Sequence, residues 1–133
     1  RKLDRFILRR RQIANAYNKE LEPLASVIKP IPRAPHSRHA WHLFVVHINQ
    51  SRLTMSRADL MNHLREKGIG TQVHYRPVHT QNYYQKNGAA DISCPSAEAY
   101  YSSCLTLPLF SEPSAQCLAS RVTETLQDII KDE

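Results

Sequence analysis

Apolar residues return at helical spacing near the start of the chain. Leu3, Phe6, Ile7, Ile13, Ala14, Tyr17 and Leu21 form one stripe, and Arg5, Arg9, Arg11 and Lys19 take the other side. The pattern predicts a helix over 3–21, closed by Pro23, with Arg10 near enough to lay its stem on the apolar stripe. No capping residue precedes this helix and the first residue is Arg1, so further sequence is expected upstream. Val27 and Ile28, followed by prolines at 30, 32 and 35, predict a short extended segment that runs into an irregular loop. From Trp41 to Ile48 both alternating faces are largely apolar, the pattern of a central strand covered on both sides. Residues 49–54 read as a polar turn. Ser56 then offers an N-cap oxygen with Asp59 three residues on, a capping box that uses Asp. Leu60, Met61 and Leu64 are the buried side of the helix that follows.

That helix should stop at Lys67-Gly68, because Gly68 suits the left-handed position just past a last turn and Ile69 can pack back over it. A strand is expected over 69–76. Alternation puts Ile69, Thr71, Val73 and Tyr75 on a core face, and Gly70, Gln72, His74 and Arg76 on the other. Pro77 ends the pairing. The Gln/His/Arg face is either the wall of a polar pocket or the solvated outside of an edge strand; periodicity alone does not choose. Tyr83 and Tyr84, in the next helical segment, could seal such a pocket or pack their rings and wet their hydroxyls. Residues 87–91 are expected to form a mobile loop around Gly88. Pro95 suits the first turn of a helix. Residues 105–110 form a brief apolar strand cut by Pro108, and a last helix opens at Ser111 or Ser114 with Pro113. Leu118, Val122, Leu126, Ile129 and Ile130 make its buried stripe. The expected order is α-β-β-α-β-α-α-β-α, a small α/β domain with its helices on the outside.

At 133 residues the chain is one domain's worth of sequence, and 41% apolar with 23% charged residues is ordinary for a globular protein. The net charge of +6 raises nucleic acid as a partner. The basic residues are nonetheless spread from Arg1 to Lys131, and no RNA-binding signature or zinc-finger spacing accompanies them, so no nucleic-acid role is assigned. No apolar run approaches a membrane span and no signal-peptide pattern opens the chain; neither membrane insertion nor export is expected. Cys94, Cys104 and Cys117 are an odd count without framework spacing, and reduced thiols in the cytoplasm are the simplest account. His36, His39, His42 and His47 cluster in sequence. No cysteine or carboxylate is interleaved, and on a strand His39 and His42 would point to opposite faces, so no metal site is assigned.

Complete catalytic constellations are missing: there is no Gly-rich phosphate loop, nucleophile elbow or Cys/His arrangement that sequence can certify. His74 and Arg76 on one face would suit an anionic ligand, arginine through its planar fork and histidine as donor or proton relay. The residues alone define a polar, cationic patch on a small α/β domain.

Four runs carry a resemblance. His39-Ala40-Trp41-His42-Leu43-Phe44, the stretch from Arg65 to Gln81 with Tyr83-Tyr84, and Leu105-Thr106-Leu107-Pro108-Leu109-Phe110 look together like the C-terminal part of the DegT/StrS sugar aminotransferases. The opening helix, with Lys2-Leu3-Asp4-Arg5 and Arg9-Arg10-Arg11, resembles the one that leads into that part. The resemblance covers essentially the whole chain in the family's order. It implies a type I fold for pyridoxal 5'-phosphate, with residues 1–22 as the leading helix and 23–133 as the small C-terminal domain. That domain is an α/β (α+β) unit with a short, mostly antiparallel sheet flanked by helices. The lysine that carries the cofactor, the aspartate on its pyridine nitrogen and the phosphate loop would all lie in a large domain absent here. No residue of this chain is assigned to catalysis or to the cofactor, and the fragment alone is not expected to transaminate.

By the same resemblance the complete enzyme would pass an amino group from glutamate to a keto sugar nucleotide, in a homodimer. The stretch 69–76 would edge the sugar-nucleotide pocket. His74 and Arg76 are then the substrate-facing residues; Tyr75 lies between them although alternation turns it inward, and His79 and Gln81 are loop contacts. The competing reading is a non-catalytic basic α/β module that grips an acidic ligand or protein. A polyanion binder would instead show affinity falling steeply with salt.

Overall fold

The computed structural model describes residues 2–34, 38–111 and 117–131. Three antiparallel strands, β1 (Ile28–Pro30), β2 (Phe44–Ile48) and β3 (Cys104–Leu107), lie in the order β1-β2-β3. Ile28 faces Ile48 in register, and Phe44 faces Leu107. Phe44, Val46 and Ile48 point into a core closed by helices α1 (Leu3–Glu20) and α5 (Leu118–Lys131), which pack on each other. Ile13, Ala14 and Tyr17 enter that core from α1, with Leu21 just past its end; Ala119, Val122, Leu126 and Ile129 enter from α5. The upstream half of the α1 stripe is not covered: Leu3 is 64% exposed and Phe6 and Ile7 are half-buried. Tyr17 stacks on Phe44 with ring centroids 4.7 Å apart and donates its hydroxyl to the Pro108 carbonyl at 2.9 Å. Burial, and then the nearby Glu20 carboxylate, push that hydroxyl well above the ordinary tyrosine range. Among the described residues, no helix is long and apolar enough to cross a membrane.

Local signals in the sequence find their elements. Helix α2 (Arg57–Glu66) opens on a complete capping box, with Ser56 accepting from the Asp59 N–H at 3.2 Å and Asp59 accepting from the Ser56 N–H at 3.3 Å. It closes on Gly68 at φ 75°, with the Gly68 N–H on Arg65 and the Ile69 N–H on Leu64, the paired bonds of a left-handed helix stop. Helix α4 (Pro95–Ser103) has its proline at the first turn, as expected.

The strand expected over 69–76 does not form. Only Gln72 pairs, exchanging both backbone hydrogen bonds with Thr106. In an antiparallel ladder the next bonded pairs would be Gly70 with Pro108 and His74 with Cys104. Pro108 has no N–H to give, and its carbonyl receives Tyr17. The Cys104 N–H is bonded to the Tyr100 carbonyl, and its own carbonyl accepts from Arg57 Nη1 at 3.0 Å. Both neighbouring partners are taken, so pairing stops after one bridge.

Other expectations are also corrected. The central strand is central but begins at Phe44, after Trp41 at φ 52°, and only one of its faces is fully buried; Val45 and His47 are half-covered. The loop expected at 87–91 is shorter than that span and is a kink in a helical stretch, with non-helical backbone at Asn87 and Gly88. A helical turn, α3 (Asn82–Tyr84), continues through Gln85–Ala89, kinked at Asn87 and Gly88, and Ala89 is buried. The Gln85 amide holds this turn by donating to the carbonyls of His79 and Ala89. The observed order is therefore α-β-β-α-α-α-β-α. Pro113 and Ser114, candidates for opening the last helix, lie outside the described residues; Ser111 lies ahead of α5.

Candidate functional site

The half-covered face of the sheet carries the chemistry. The single Gln72–Thr106 bridge holds the 70–74 stretch beside β3, and its polar side opens onto a cleft of about 180 Å³. His42, Leu43, Gly70, Gln72, His74 and Thr106 line it. The stop at Gly68 sets this register, because Ile69 turns into the core and leaves Gly70, Gln72 and His74 on the open side. His74 Nδ1 is 2.8 Å from Thr106 Oγ1. The threonine hydroxyl can donate or accept, so it occupies Nδ1 in either tautomer and leaves Nε2 as the ring's remaining hydrogen-bonding atom.

The other candidate residues are not gathered at this cleft. Arg76, expected on the His74 face, is exposed and donates to Thr80, from Nε to the hydroxyl at 3.1 Å and from Nη2 to the carbonyl. Tyr75, expected to turn toward the core, is 71% exposed, with its ring edge-on to His74 at 4.6 Å. Alternation fails there because the ladder has already ended at Gln72. His79 Nε2 is 2.9 Å from Glu98 Oε1, and Gln81 is exposed between two helical turns. Glu98 also accepts from the Cys94 N–H at 2.8 Å; that bond first, and then His79, hold its carboxyl below the usual range. Tyr83 and Tyr84 pack edge to face with centroids 5.3 Å apart, and both are exposed.

Sequence reasoning missed Thr106, reading residues 105–110 only as an apolar run. The signal was present as one hydroxyl between two leucines. It also missed Arg57, which donates to the carbonyls of Tyr101 and Cys104 with its guanidinium 5.0 Å from the Tyr101 ring centroid, and so ties α2 to the start of β3. Among the described residues no three His, Cys, Asp or Glu side chains converge as metal ligands, and His36 lies outside those residues. The six lysines, at 2, 19, 29, 67, 86 and 131, are all exposed and none lines the His74 cleft.

A profile of the DegT/DnrJ/EryC1/StrS aminotransferase family matches residues 1–127. The fold is similar to that of the aminotransferase TlmJ from Streptoalloteichus hindustanus, at TM-score 0.77 and 26% identity over 97% of this chain and 34% of that one. It is similar to DesV of S. venezuelae, at TM-score 0.79 and 30% identity over 98% of this chain and 33% of that one. It is also similar to NtdA from Bacillus subtilis, solved with bound cofactor PMP, at TM-score 0.77 and 28% identity over 95% and 28%. The chain spans about a third of the length of the structures it matches.

Proposed function

This chain belongs to the DegT/DnrJ/EryC1/StrS aminotransferase family, and we propose that it is the C-terminal part of a pyridoxal-phosphate-dependent nucleotide-sugar aminotransferase. The complete enzyme moves an amino group from glutamate to a keto sugar nucleotide that serves cell-surface polysaccharide or lipid A modification. It works as a cytoplasmic homodimer. Residues 1–22 are the leading helix and 23–133 the small domain. The runs at 39–44 and 79–84 point further, to the enzyme that makes UDP-4-amino-4-deoxy-L-arabinose. The family match over 1–127 carries this reading. The cofactor supplies the electron sink for moving the amine, and in this reading its lysine belongs to the large domain.

This chain's part is to hold the sugar. His74, fixed through Nδ1 by Thr106, presents Nε2 to a sugar hydroxyl or carbonyl, with Gln72 offering amide groups beside it. Tyr75 and Arg76 follow on an exposed turn, and His79 and Gln81 complete the loop that flanks the substrate. Borohydride reduction of the complete protein with pyridoxal phosphate, followed by peptide mapping, tests the division of labour. One pyridoxyl-lysine outside residues 1–133 is expected. No label, or a label on one of the six lysines here, overturns it.

A further inference from the structure

The two edges of the sheet are built differently. β1 bonds to β2 through Val27, Lys29 and Ile31: the Asn49 N–H donates to Val27, the Ile31 N–H donates to Val45, and Lys29 faces His47 between them. Residues 28 and 30, and 32 just past the strand, therefore direct their backbone outward. Two of these three are prolines, Pro30 and Pro32, which have no N–H to offer, so this edge is closed to a further strand. At the opposite edge the Gln72 N–H and C=O are both engaged by Thr106. The backbone N–H and C=O groups of Thr71 and Val73 then point away from β3, and among the described residues they have no hydrogen-bond partner. Both residues are β-branched and half-buried, and neither is the proline or charged residue that guards an edge.

Beside that open edge lies a groove of about 490 Å³. One wall is a face of α2, with Ala58, Met61, Asn62 and Arg65 at helical spacing, and the other is the stretch 70–72. Ala58 and Met61 give the groove an apolar stretch. Arg65 donates from Nη2 to Asn62 Oδ1 at 2.9 Å, which leaves most of its guanidinium fork for a ligand. No carboxylate lines the groove. A slot between a helix and an unpaired strand edge fits an extended backbone, and a cation at its rim fits an acidic side chain on that backbone. A second copy of the chain is the poorer occupant, because this one already carries a net charge of +6.

We propose that the open edge at 70–74 is a docking site for an extended, acidic segment of a partner protein. The segment adds a strand to the sheet. Its backbone pairs with Thr71 and Val73, and its alternate side chains lie against α2, an apolar one on Met61 and a carboxylate on Arg65. The surface uses the edge of this stretch that faces away from β3, so the proposal stands whether or not the complete protein transaminates.

The test titrates the complete protein, by fluorescence anisotropy, with a labelled eight-residue peptide. Every second residue of the peptide is threonine, and the others are valine and glutamate in turn. The same peptide with lysine for glutamate should bind about fivefold more weakly or worse. Arg65 is exposed, so Arg65→Glu should fold normally, and it should reverse that preference. Only one edge of an added strand meets the protein. Methylating the backbone nitrogens of the threonines, or those of the valines and glutamates, should therefore abolish binding in one case and spare it in the other. Hydrogen exchange read residue by residue places the peptide. The Thr71 and Val73 amides should exchange freely in the complete protein and about tenfold or more slowly with the peptide bound. Slow exchange before any peptide is added means that the protein's own chain or a second copy already covers the edge, and it overturns the proposal. Binding that leaves both amides unchanged occurs on another surface and overturns it too. So do no binding, indifference to Arg65→Glu, or equal tolerance of the two methylated peptides.

Discussion

His74 and Thr106 are joined twice over: Nδ1 lies 2.8 Å from Oγ1, and the Thr106 backbone exchanges both its hydrogen bonds with Gln72, two residues before the histidine. One buried threonine thus fixes both the path of the 72–74 stretch and the ring at its end. Thr106→Val keeps the shape and removes the hydroxyl. In the complete enzyme it should lower kcat/KM of the sugar-nucleotide half-reaction about tenfold, and Thr106→Ser should restore most of it. An unchanged half-reaction would leave the contact purely structural.

Arg76 poses a different question because it is already engaged by Thr80. Arg76→Ala should weaken use of the sugar nucleotide far more than loading by glutamate, measured as separate half-reactions. Equal losses in the two would reduce Arg76 to a brace for the turn at 76–80.

The contrast between those residues marks what sequence can carry. The capping box at Ser56, the stop at Gly68 and the helix start at Pro95 depend on residues a few positions apart, and each was legible. The strand over 69–76 looked equally sound by alternation. Its failure was decided remotely, by Pro108 lacking an N–H and by Cys104 being bonded to Tyr100 and Arg57. His74 was legible as a candidate because it lies on the polar side before alternation fails. Tyr75 was misplaced because it lies after. The contacts that fix His74 and His79 join residues 32 and 19 positions apart, beyond any local pattern.

Gly68 sets the register that exposes His74. A Cβ there would lie 3.3 Å from Arg121 Nη2, the movable end of an exposed side chain, so the strain comes from φ 75° rather than from crowding. Gly68→Ala should destabilise the fold by about 1–2 kcal/mol, read as a lower urea midpoint with an unchanged slope. A midpoint equal to the wild type's would mean the stop tolerates a side chain.

Cys104 is buried at the start of β3, and burial pushes its thiol up, whereas Cys117 is exposed and Cys94 half-buried. With a thiol reagent under native conditions, Cys117 should react first and Cys104 last. After denaturation without reductant all three should react. Any cysteine already paired would remove the support for a reducing compartment.

Ser56 and Asp59 make stability depend on pH in a direction the geometry dictates. The Ser56 hydroxyl, 2.6 Å from the carboxylate, and then its backbone N–H hold the Asp59 carboxyl below the ordinary range. A lowered native pKa means that the unfolded chain binds the proton more readily. The stabilisation is therefore fully present above the ordinary aspartate value and is lost as pH falls through the lower native one. Ser56→Ala removes both the cap on the Asp59 N–H and the hydroxyl's bond to the carboxylate, and near neutral pH it should cost about 1 kcal/mol. Once pH has fallen below the lowered native value, only the cap on the backbone remains to be lost, so the gap in urea midpoint between wild type and variant should narrow. A gap that stays constant across that range would show that the carboxylate contributes nothing, and the Ser56 cap would then act alone.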